Sequence, residues 1–141
     1  MIREIVPPDT ALAFEAMREL RTHYTDEDEF VRHVDGVQRP EGYRLVGWFE
    51  DDRVVAVAGF RLMHTLAWGR ALYVDDLSTH PGARRRGHAR AMLEWVAGEA
   101  AQLGCTQVHL DSGVDASRLD AHRLYFNTGM RITSFHFAKQ A

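Results

Sequence analysis

The first forty residues carry apolar positions at helical spacing. Asp9 and Thr10 can cap a helix, because their side-chain oxygens accept hydrogen bonds from the unpaired amides of a first turn. The apolar residues that follow at helical intervals are Leu12, Ala16, Met17 and Leu20. Thr25 and Asp28 then stand three apart, as in a capping box, ahead of a narrow apolar stripe. We predict one helix over about residues 9–22 and a second from Thr25 to Pro40.

From Tyr43 the pattern changes to alternation with period two and to β-branched residues. Residues 43–49 and 53–60 have this character on either side of a polar turn, which predicts an antiparallel hairpin. Residues 71–79 predict a third strand. An amphipathic helix follows from about Gly87 to Leu103, where Gly104 supplies a left-handed stop, and residues 106–111 predict another strand.

The order strand, helix, strand between residues 71 and 111 has a topological consequence. A crossover of this length joins parallel strands, so a parallel βαβ unit is expected beside the antiparallel hairpin. A further helix is predicted over residues 117–126 and a last strand over residues 130–137. The pattern thus predicts an α+β fold with a mixed, mostly antiparallel central sheet, and residues 1–141 are expected to form a single domain.

Composition and charge narrow the class of function. Apolar residues make up 45% of the chain and charged residues 26%, as in globular proteins, and the formal net charge is -3. Nucleic-acid binding is disfavoured, because phosphate affinity needs many Lys and Arg contacts on one face. The chain has no apolar run near the ~20 residues of a membrane helix and no signal-peptide core. We therefore expect a cytoplasmic protein without a membrane partner.

The turn that leads from the third strand into the long helix is the most informative stretch. It reads Arg84-Arg85-Arg86-Gly87-His88-Ala89-Arg90. At a helix start several amide N–H groups are unpaired and the peptide dipoles place about half a positive charge there, so phosphate binds readily. Gly87 and Ala89 leave room for a bulky anion. Because four arginines beside a positive dipole are locally unfavourable, we interpret them as an anion site rather than a solvated surface cluster.

Two common phosphate motifs do not fit this turn. Gly82 and Gly87 have the spacing of a nucleoside-triphosphatase loop, but His88 replaces the Lys that would reach the phosphates. Ala89 likewise replaces the hydroxyl that would hold magnesium. The three glycines of the dinucleotide fingerprint are also missing. Nucleotide hydrolysis and dinucleotide binding are therefore not expected.

At these residues the sequence resembles the GNAT family of acyl-CoA N-acyltransferases. The family's cofactor motif is Arg or Gln, two residues, Gly, one residue, then Gly or Ala, which Arg84, Gly87 and Ala89 match. The resemblance implies a GNAT-like sheet with helices on both faces and acetyl-CoA as co-substrate. It further implies cofactor contacts from Arg84, Arg85, Arg86, Gly87, His88, Ala89 and Arg90, and pairing of the pantetheine arm with Leu77, Ser78 and Thr79.

A second match lies about forty residues downstream. Residues 121–130 look like the family's last helix and the turn after it, with Met130 in place of the usual Phe. The resemblance implies that the phenol of Tyr125 protonates the departing CoA thiolate. A phenol suits this task because it is still protonated at neutral pH. Alternatively, Tyr125 is an amphipathic core residue beside Leu124.

Amine acylation also needs a group that removes a proton, because an amine with a pKa of ~10.4 is mostly protonated at pH 7. Asp75 and Asp76 are the candidates, at the end of the strand beside the turn. Neighbours on a strand point to opposite faces, so only one can face the cleft unless a bulge intervenes. The resemblance favours Asp75. Both could instead be ordinary strand-end acids, one paired with an arginine of the turn, and a water chain would then take the proton.

The function expected from these motifs is transfer of an acetyl group from acetyl-CoA to a primary amine of a small molecule or peptide, by direct attack in a ternary complex. A catalytically weak CoA-binding sensor or interaction domain of the same fold is the alternative. Acetyl and longer acyl donors are both compatible with the motifs.

The remaining expectations concern the acceptor, metals and partners. The acids of residues 26–29 and Glu41 lie where the resemblance implies the acceptor cleft, which favours a cationic amine. The eight histidines form no metal motif, so no metal is expected. An exposed sheet edge beside the last strand is compatible with a homodimer.

Overall fold

The computed structural model describes all 141 residues and contains five strands and four α-helices. The strands are β1 (Ile2–Glu4), β2 (Tyr43–Glu50), β3 (Arg53–Thr65), β4 (Gly69–Thr79) and β5 (Gln107–Leu110). The α-helices are α1 (Phe14–Met17), α2 (Glu27–His33), α3 (His88–Gln102) and α4 (Leu119–Asn127). None of these helices is both long and apolar enough to cross a membrane.

The five strands form one sheet in the order β1-β2-β3-β4-β5. Neighbours from β1 to β4 are antiparallel, whereas β5 runs parallel to β4 after the crossover through α3. The predicted fold class is therefore confirmed, with a mixed and mostly antiparallel sheet and a parallel βαβ unit. β1 is a strand that the sequence pattern did not predict.

Helices cover both faces of this sheet, as β2 shows by its alternation. Odd-numbered residues of β2 join a core cluster with α1 and α2 that includes Phe14, Met17, Phe30, Val34, Tyr43, Leu45 and Phe49. Even-numbered residues meet α3: Arg44 donates to Glu99 at 2.8 Å, and the Trp48 ring lies 4.6 Å from that of His88. The period of two read from the sequence thus places one set of side chains in each layer.

The first two predicted helices are shorter than expected. Residues 9–13 form a 3-10 turn ahead of α1, and α2 ends in a π-helical turn over Val34–Gln38. The cap of α2 is Asp26, whose carboxylate accepts from the amide of Asp28, and not Thr25. The long helix agrees closely with its prediction, because α3 carries a continuous apolar face and is followed by Gly104 at φ 74°.

The chain divides into two compact units, residues 1–109 and residues 110–141. In the second unit, α4 follows a short 3-10 turn, Ala116–Arg118, which Asp115 caps. The strand predicted over residues 130–137 is wrong for the single chain, since these residues form no regular structure. A strand needs the edge of a neighbour to satisfy its amides and carbonyls, and alternation in the sequence does not supply one.

Candidate functional site

A β-bulge lies where β3 and β4 pass the two candidate acids. Gly59 is opposite Asp76, whereas the next pair is Phe60 with Val74, so Asp75 has no counterpart on β3. The extra residue turns the strand locally. As a result both Asp75 and Asp76 line one pocket, although neighbours on a regular strand point to opposite faces.

Asp76 is held by two partners inside this pocket. Its Oδ1 accepts from Nε of Arg21 at 2.7 Å, and its Oδ2 accepts from the hydroxyl of Tyr43 at 2.8 Å. Asp76 is only 8% exposed. Burial, together with the neighbouring carboxylate of Asp76, raises the pKa of Tyr43 well above its usual value. Tyr43 is thus a hydrogen-bond donor that stays protonated and fixes one oxygen of Asp76.

Asp75 is held by a second arginine, Arg61. Arg61 donates to both of its carboxylate oxygens at 2.8 Å, which is the bidentate geometry that a guanidinium favours. Arg21 also donates from its second terminal nitrogen to the backbone oxygen of Asp75 at 2.8 Å. The two acids are therefore ion-paired with Arg21 and Arg61, and neither is paired with an arginine of the turn.

Gly59 makes the contact between Tyr43 and Asp76 possible. A Cβ placed on Gly59 would overlap the hydroxyl and ring of Tyr43. Glycine at this position lets the phenol cross β3 and reach the carboxylate on β4. The sequence patterns did not point to Tyr43, Arg21, Arg61 or Gly59 as functional residues. A glycine inside a run of strand residues is a signal of a bulge or close approach and could have pointed to this place.

The pocket has a volume of about 320 Å³ and combines this polar floor with aromatic walls. Its walls are formed largely by α2 and the segment that precedes it. The lining residues are Met17, Arg21, His23, Tyr24, Phe30, His33, Val34, Gln38, Tyr43, Asp75 and Asp76. The acids of residues 26–29 and Glu41 are not among them. The negative charge in the pocket wall comes only from the two ion-paired carboxylates.

The turn before α3 has the geometry of an anion cradle. Arg85 and Gly87 both have positive φ, 63° and 80°, and Gly87 caps the helix without any side-chain hydrogen bond. The first helical bond is that from the Ala91 amide to the Gly87 oxygen. The six amides from Arg85 to Arg90 donate to no acceptor in the chain. Unpaired amides at the start of a helix can donate hydrogen bonds to a bound anion.

The four arginines of the turn differ in their partners. Arg84 lies 3.9 Å from Glu19, Arg86 lies 3.0 Å from Glu50, and Arg90 lies 3.0 Å from Glu94. Arg85 is exposed and makes no ion pair. It is therefore the guanidinium of this turn whose charge no protein carboxylate offsets.

His88 and Ala89 begin the helix itself. The side chain of His88 is buried against Trp48, and its Nε2 lies 3.4 Å from Glu50 without a well-formed hydrogen bond. The ring therefore points into the protein, and only the backbone amide of His88 can serve an anion in the turn.

At the end of β4, the residues predicted to contact the pantetheine arm lie beyond the short neighbouring strand β5. The Thr106 amide, just before β5, donates to the Arg70 oxygen near the start of β4 at 3.3 Å, and the parallel β5 has only four residues, so it is too short to reach Leu77. Leu77, Ser78 and Thr79 pair with β3 and extend beyond β5. The Ser78 hydroxyl donates to the Ala16 oxygen at 2.7 Å, which leaves backbone groups to meet a ligand there.

Tyr125 lies in the second unit, on α4, and is half-buried. Its carbonyl oxygen closes the end of the helix by accepting from the Thr128 hydroxyl at 2.9 Å and from the Met130 amide at 3.0 Å. The phenol has no hydrogen-bond partner within the chain, so the hydroxyl proton remains available to an external acceptor.

Known proteins resemble this chain in sequence and in fold. The family model described as the acetyltransferase (GNAT) family matches residues 10–130. The uncharacterized N-acetyltransferase YhdJ of Bacillus subtilis (strain 168) is 29% identical over 130 residues, which cover 92% of this chain and 89% of that protein.

Two solved structures share the fold along their whole length. Glucosamine-6-phosphate N-acetyltransferase from Arabidopsis thaliana has a TM-score of 0.77 at 17% identity, covering 99% of this chain and 97% of that one. AAC(6')-Iy, in complex with the bisubstrate analog CoA-S-monomethyl-acetylneamine, has a TM-score of 0.85 at 13% identity, covering 100% and 97%.

Proposed function

The chain belongs to the acetyltransferase (GNAT) family, and from that premise we propose that it transfers an acetyl group from acetyl-CoA to a primary amine. One observation carries the proposal for this chain: the six amides from Arg85 to Arg90 have no acceptor, at the positive end of α3 and beside the unpaired Arg85. A diphosphate would satisfy the amides and the guanidinium together.

The residues of the turn and of the open β4 edge divide the work of holding the donor. The amides of Arg85 to Arg90 would bind the pyrophosphate of acetyl-CoA, and Arg85 would add charge. Arg84, Arg86 and Arg90 would contact the phosphates either in place of their carboxylate partners or in addition to them. The backbone of Leu77, Ser78 and Thr79 would meet the pantetheine arm. Acetyl-CoA supplies the activated acetyl group, and a backbone amide near Leu77 or Ser78 would stabilise the oxyanion.

The pocket in front of Asp75 and Asp76 is the proposed acceptor site. An amine nitrogen that attacks the acetyl carbonyl in a ternary complex must first lose a proton, which costs about 4–5 kcal/mol for an ordinary amine at pH 7. Asp75 or Asp76 would accept this proton, directly or through a water. Because their charges are offset by Arg21 and Arg61, we propose an acceptor with one amine and an uncharged, partly apolar body that suits the aromatic walls.

Tyr125 is the proposed acid. Its hydroxyl has no partner in the chain, and protonation of the departing thiolate by this phenol would complete the transfer. Thiol release with a panel of amines tests the reaction, and Tyr125→Phe tests the residue. The variant should lower kcat by about 100-fold or more with unchanged CoA affinity, because a general acid acts on the leaving group and not on binding.

The same measurements separate the enzyme from the alternative, a CoA-binding sensor or interaction domain. Leu124→Met is the matched control, since it changes the neighbouring side chain without touching the phenol. Tight CoA binding without thiol release from any amine would contradict the transferase. Unaltered turnover in Tyr125→Phe would remove Tyr125 from the mechanism while leaving the donor site intact.

A further inference from the structure

One buried polar side chain of the protein has no hydrogen bond. His88 is 7% exposed, and neither of its ring nitrogens has a hydrogen-bond partner. The other buried polar side chains, Thr10, Asp76 and Ser78, each make a hydrogen bond of 2.7 Å. Leaving a buried ring unsatisfied lowers stability, and this loss is offset where the ring gains a partner in another state of the protein.

A carboxylate beside His88 is already occupied. Nε2 of His88 lies 3.4 Å from Oε1 of Glu50, without forming a hydrogen bond. The same oxygen lies 3.0 Å from a terminal nitrogen of Arg86. One carboxylate oxygen thus faces an imidazole and a guanidinium and binds closely only to the guanidinium. While Arg86 holds Glu50, His88 has no partner.

The charges around the imidazole come from three directions. His88 is the first residue of α3, so the positive end of the helix dipole lies beside it. The turn contributes the positive charge of Arg86, and β2 contributes the negative charge of Glu50. Arg53 is opposite Glu50 on β3, but its guanidinium contacts a glutamate on α1 and the imidazole that follows β4. Two of the three charges therefore oppose the addition of a proton to the ring.

A diphosphate on the turn reverses this balance, an argument that rests on the proposed acetyl-CoA site. Phosphate oxygens bind a guanidinium strongly and bring additional negative charge beside the helix start. We propose that the bound diphosphate draws Arg86 away from Glu50, and that Glu50 then pairs with a protonated His88. The proton comes from solvent and adds to a ring nitrogen. His88 and Glu50 are thus positioning residues that act on the cofactor through Arg86.

The exchange links cofactor binding to pH. The complex holds one proton more than the free protein, so lowering the pH favours the complex. An uptake of about half a proton corresponds to about threefold tighter binding for each unit by which the pH falls. A direct contact between His88 and the phosphate is not needed, since the ring points into the protein toward Glu50.

The first test is calorimetric titration at pH 7 in buffers of different ionisation enthalpy, which counts the protons taken up. The probe is dephospho-coenzyme A, which keeps the diphosphate but lacks the phosphomonoester that itself titrates at about pH 6. We expect an uptake of about half a proton per ligand. Binding without uptake contradicts this exchange and leaves the donor site intact. Absence of binding by both this probe and acetyl-CoA would contradict the proposed function as well.

The second test repeats the titration with variants. His88→Gln removes the ring, Glu50→Gln removes its acceptor, and Arg86→Gln lets Glu50 pair with the ring before the ligand arrives, so all three should lose most of the uptake. His80→Gln is the matched control, because His80 is a second imidazole beside the turn, bonded to the Gly82 amide, and should leave the uptake unchanged.

Two results would overturn the exchange at this stage. Full uptake in Arg86→Gln would show that the ligand acts through its field alone, and loss of uptake in His80→Gln would place the proton on the wrong ring. If His88→Gln does not fold, nitrogen NMR of the His88 ring in the unmodified protein replaces it. The ring should then gain a proton at pH 7 when the probe is added, and an unchanged ring would contradict the proposal.

Discussion

Two groups of arginines in residues 1–109 differ in what their charges meet. At the pocket floor, Arg21 donates to the carboxylate of Asp76 and to the Asp75 carbonyl. Arg61, beside the pocket, donates to the carboxylate of Asp75. At the start of α3, Arg85 meets no carboxylate and the amides from Arg85 to Arg90 meet no acceptor. The paired Arg21 and Arg61 hold the residues around them in place, whereas the unpaired Arg85 and the amides without acceptors predict a ligand that brings negative charge.

The pairing of Asp75 and Asp76 with arginines lowers the net negative charge that these β4 carboxylates present to an acceptor. Unpaired carboxylates in a cleft would attract a cationic acceptor, but two carboxylates held by arginines present little net charge. Their first effect is to hold the bulge and the pocket floor in place. Substitutions in the pocket should therefore affect stability as well as turnover, whereas substitutions in the turn should affect acetyl-CoA binding.

The largest effect is expected from Gly59→Ala. The added Cβ overlaps Tyr43, so the ring must move and its hydrogen bond to Asp76 is lost. We expect the free energy of unfolding in urea to fall by about 3 kcal/mol. Gly98→Ala is the control, because its Cβ meets no atom within 4 Å inside α3 and should stabilise the protein by about 0.5–1 kcal/mol. Equal effects of the two substitutions would contradict the role assigned to Gly59.

Asp76→Asn should rank second, with a loss of about 2 kcal/mol by the same measurement. The amide cannot accept on both sides as the carboxylate does, so either Arg21 or the buried Tyr43 hydroxyl loses its acceptor. Asp120→Asn serves as the comparison, since the Asp120–Arg123 pair is exposed, and it should change stability by less than about 0.5 kcal/mol. A loss that is no larger for Asp76 than for Asp120 would show that the pocket pairing is not structural.

Arg85→Glu should leave the stability of the fold unchanged and weaken the binding of acetyl-CoA. Reversing the one unpaired charge beside the α3 dipole should raise the dissociation constant about 10-fold, or about 1.4 kcal/mol, in calorimetric titration at low salt. Arg70→Glu places the same change on the far end of β4 and should have no effect on affinity. If both variants bind equally well, the anion does not meet Arg85. Added salt should narrow the difference between wild type and Arg85→Glu.

The smallest expected effect is alkaline destabilisation through Tyr43. Its pKa is raised in the folded state, mainly by burial, so the folded protein retains a proton that the unfolded chain releases above pH ~10. This contribution to stability is complete below the unfolded pKa and is lost as the pH rises toward the folded pKa. Between pH 10 and 11, wild type should lose up to about 1 kcal/mol more than Tyr43→Phe in urea unfolding. Parallel pH curves for the two proteins would refute this coupling.

Local patterns in the sequence correctly predicted several elements of the fold. The continuous apolar face and the terminal glycine of α3 predicted that helix to within a residue or two at each end, because helix formation depends on neighbours three and four positions away. The motif around Gly87 predicted the turn, since a left-handed residue before a helix start is a local requirement. The strand predicted over residues 130–137 was wrong for the opposite reason. The alternation of its residues is a local property, but a strand also needs to pair with another strand, which is not local.

What the sequence alone determined is therefore the order of elements from β2 to α4, the mixed sheet and the arginine-rich turn at the start of α3. Only the tertiary structure decided that a β-bulge next to Gly59 brings the side chains of Asp75 and Asp76 to the same pocket. It also decided that Arg21 and Tyr43 each donate a hydrogen bond to one oxygen of Asp76. The physical reason is separation along the chain. Arg21 and Tyr43 lie 55 and 33 positions from Asp76, and such contacts exist only once the sheet and helices have packed.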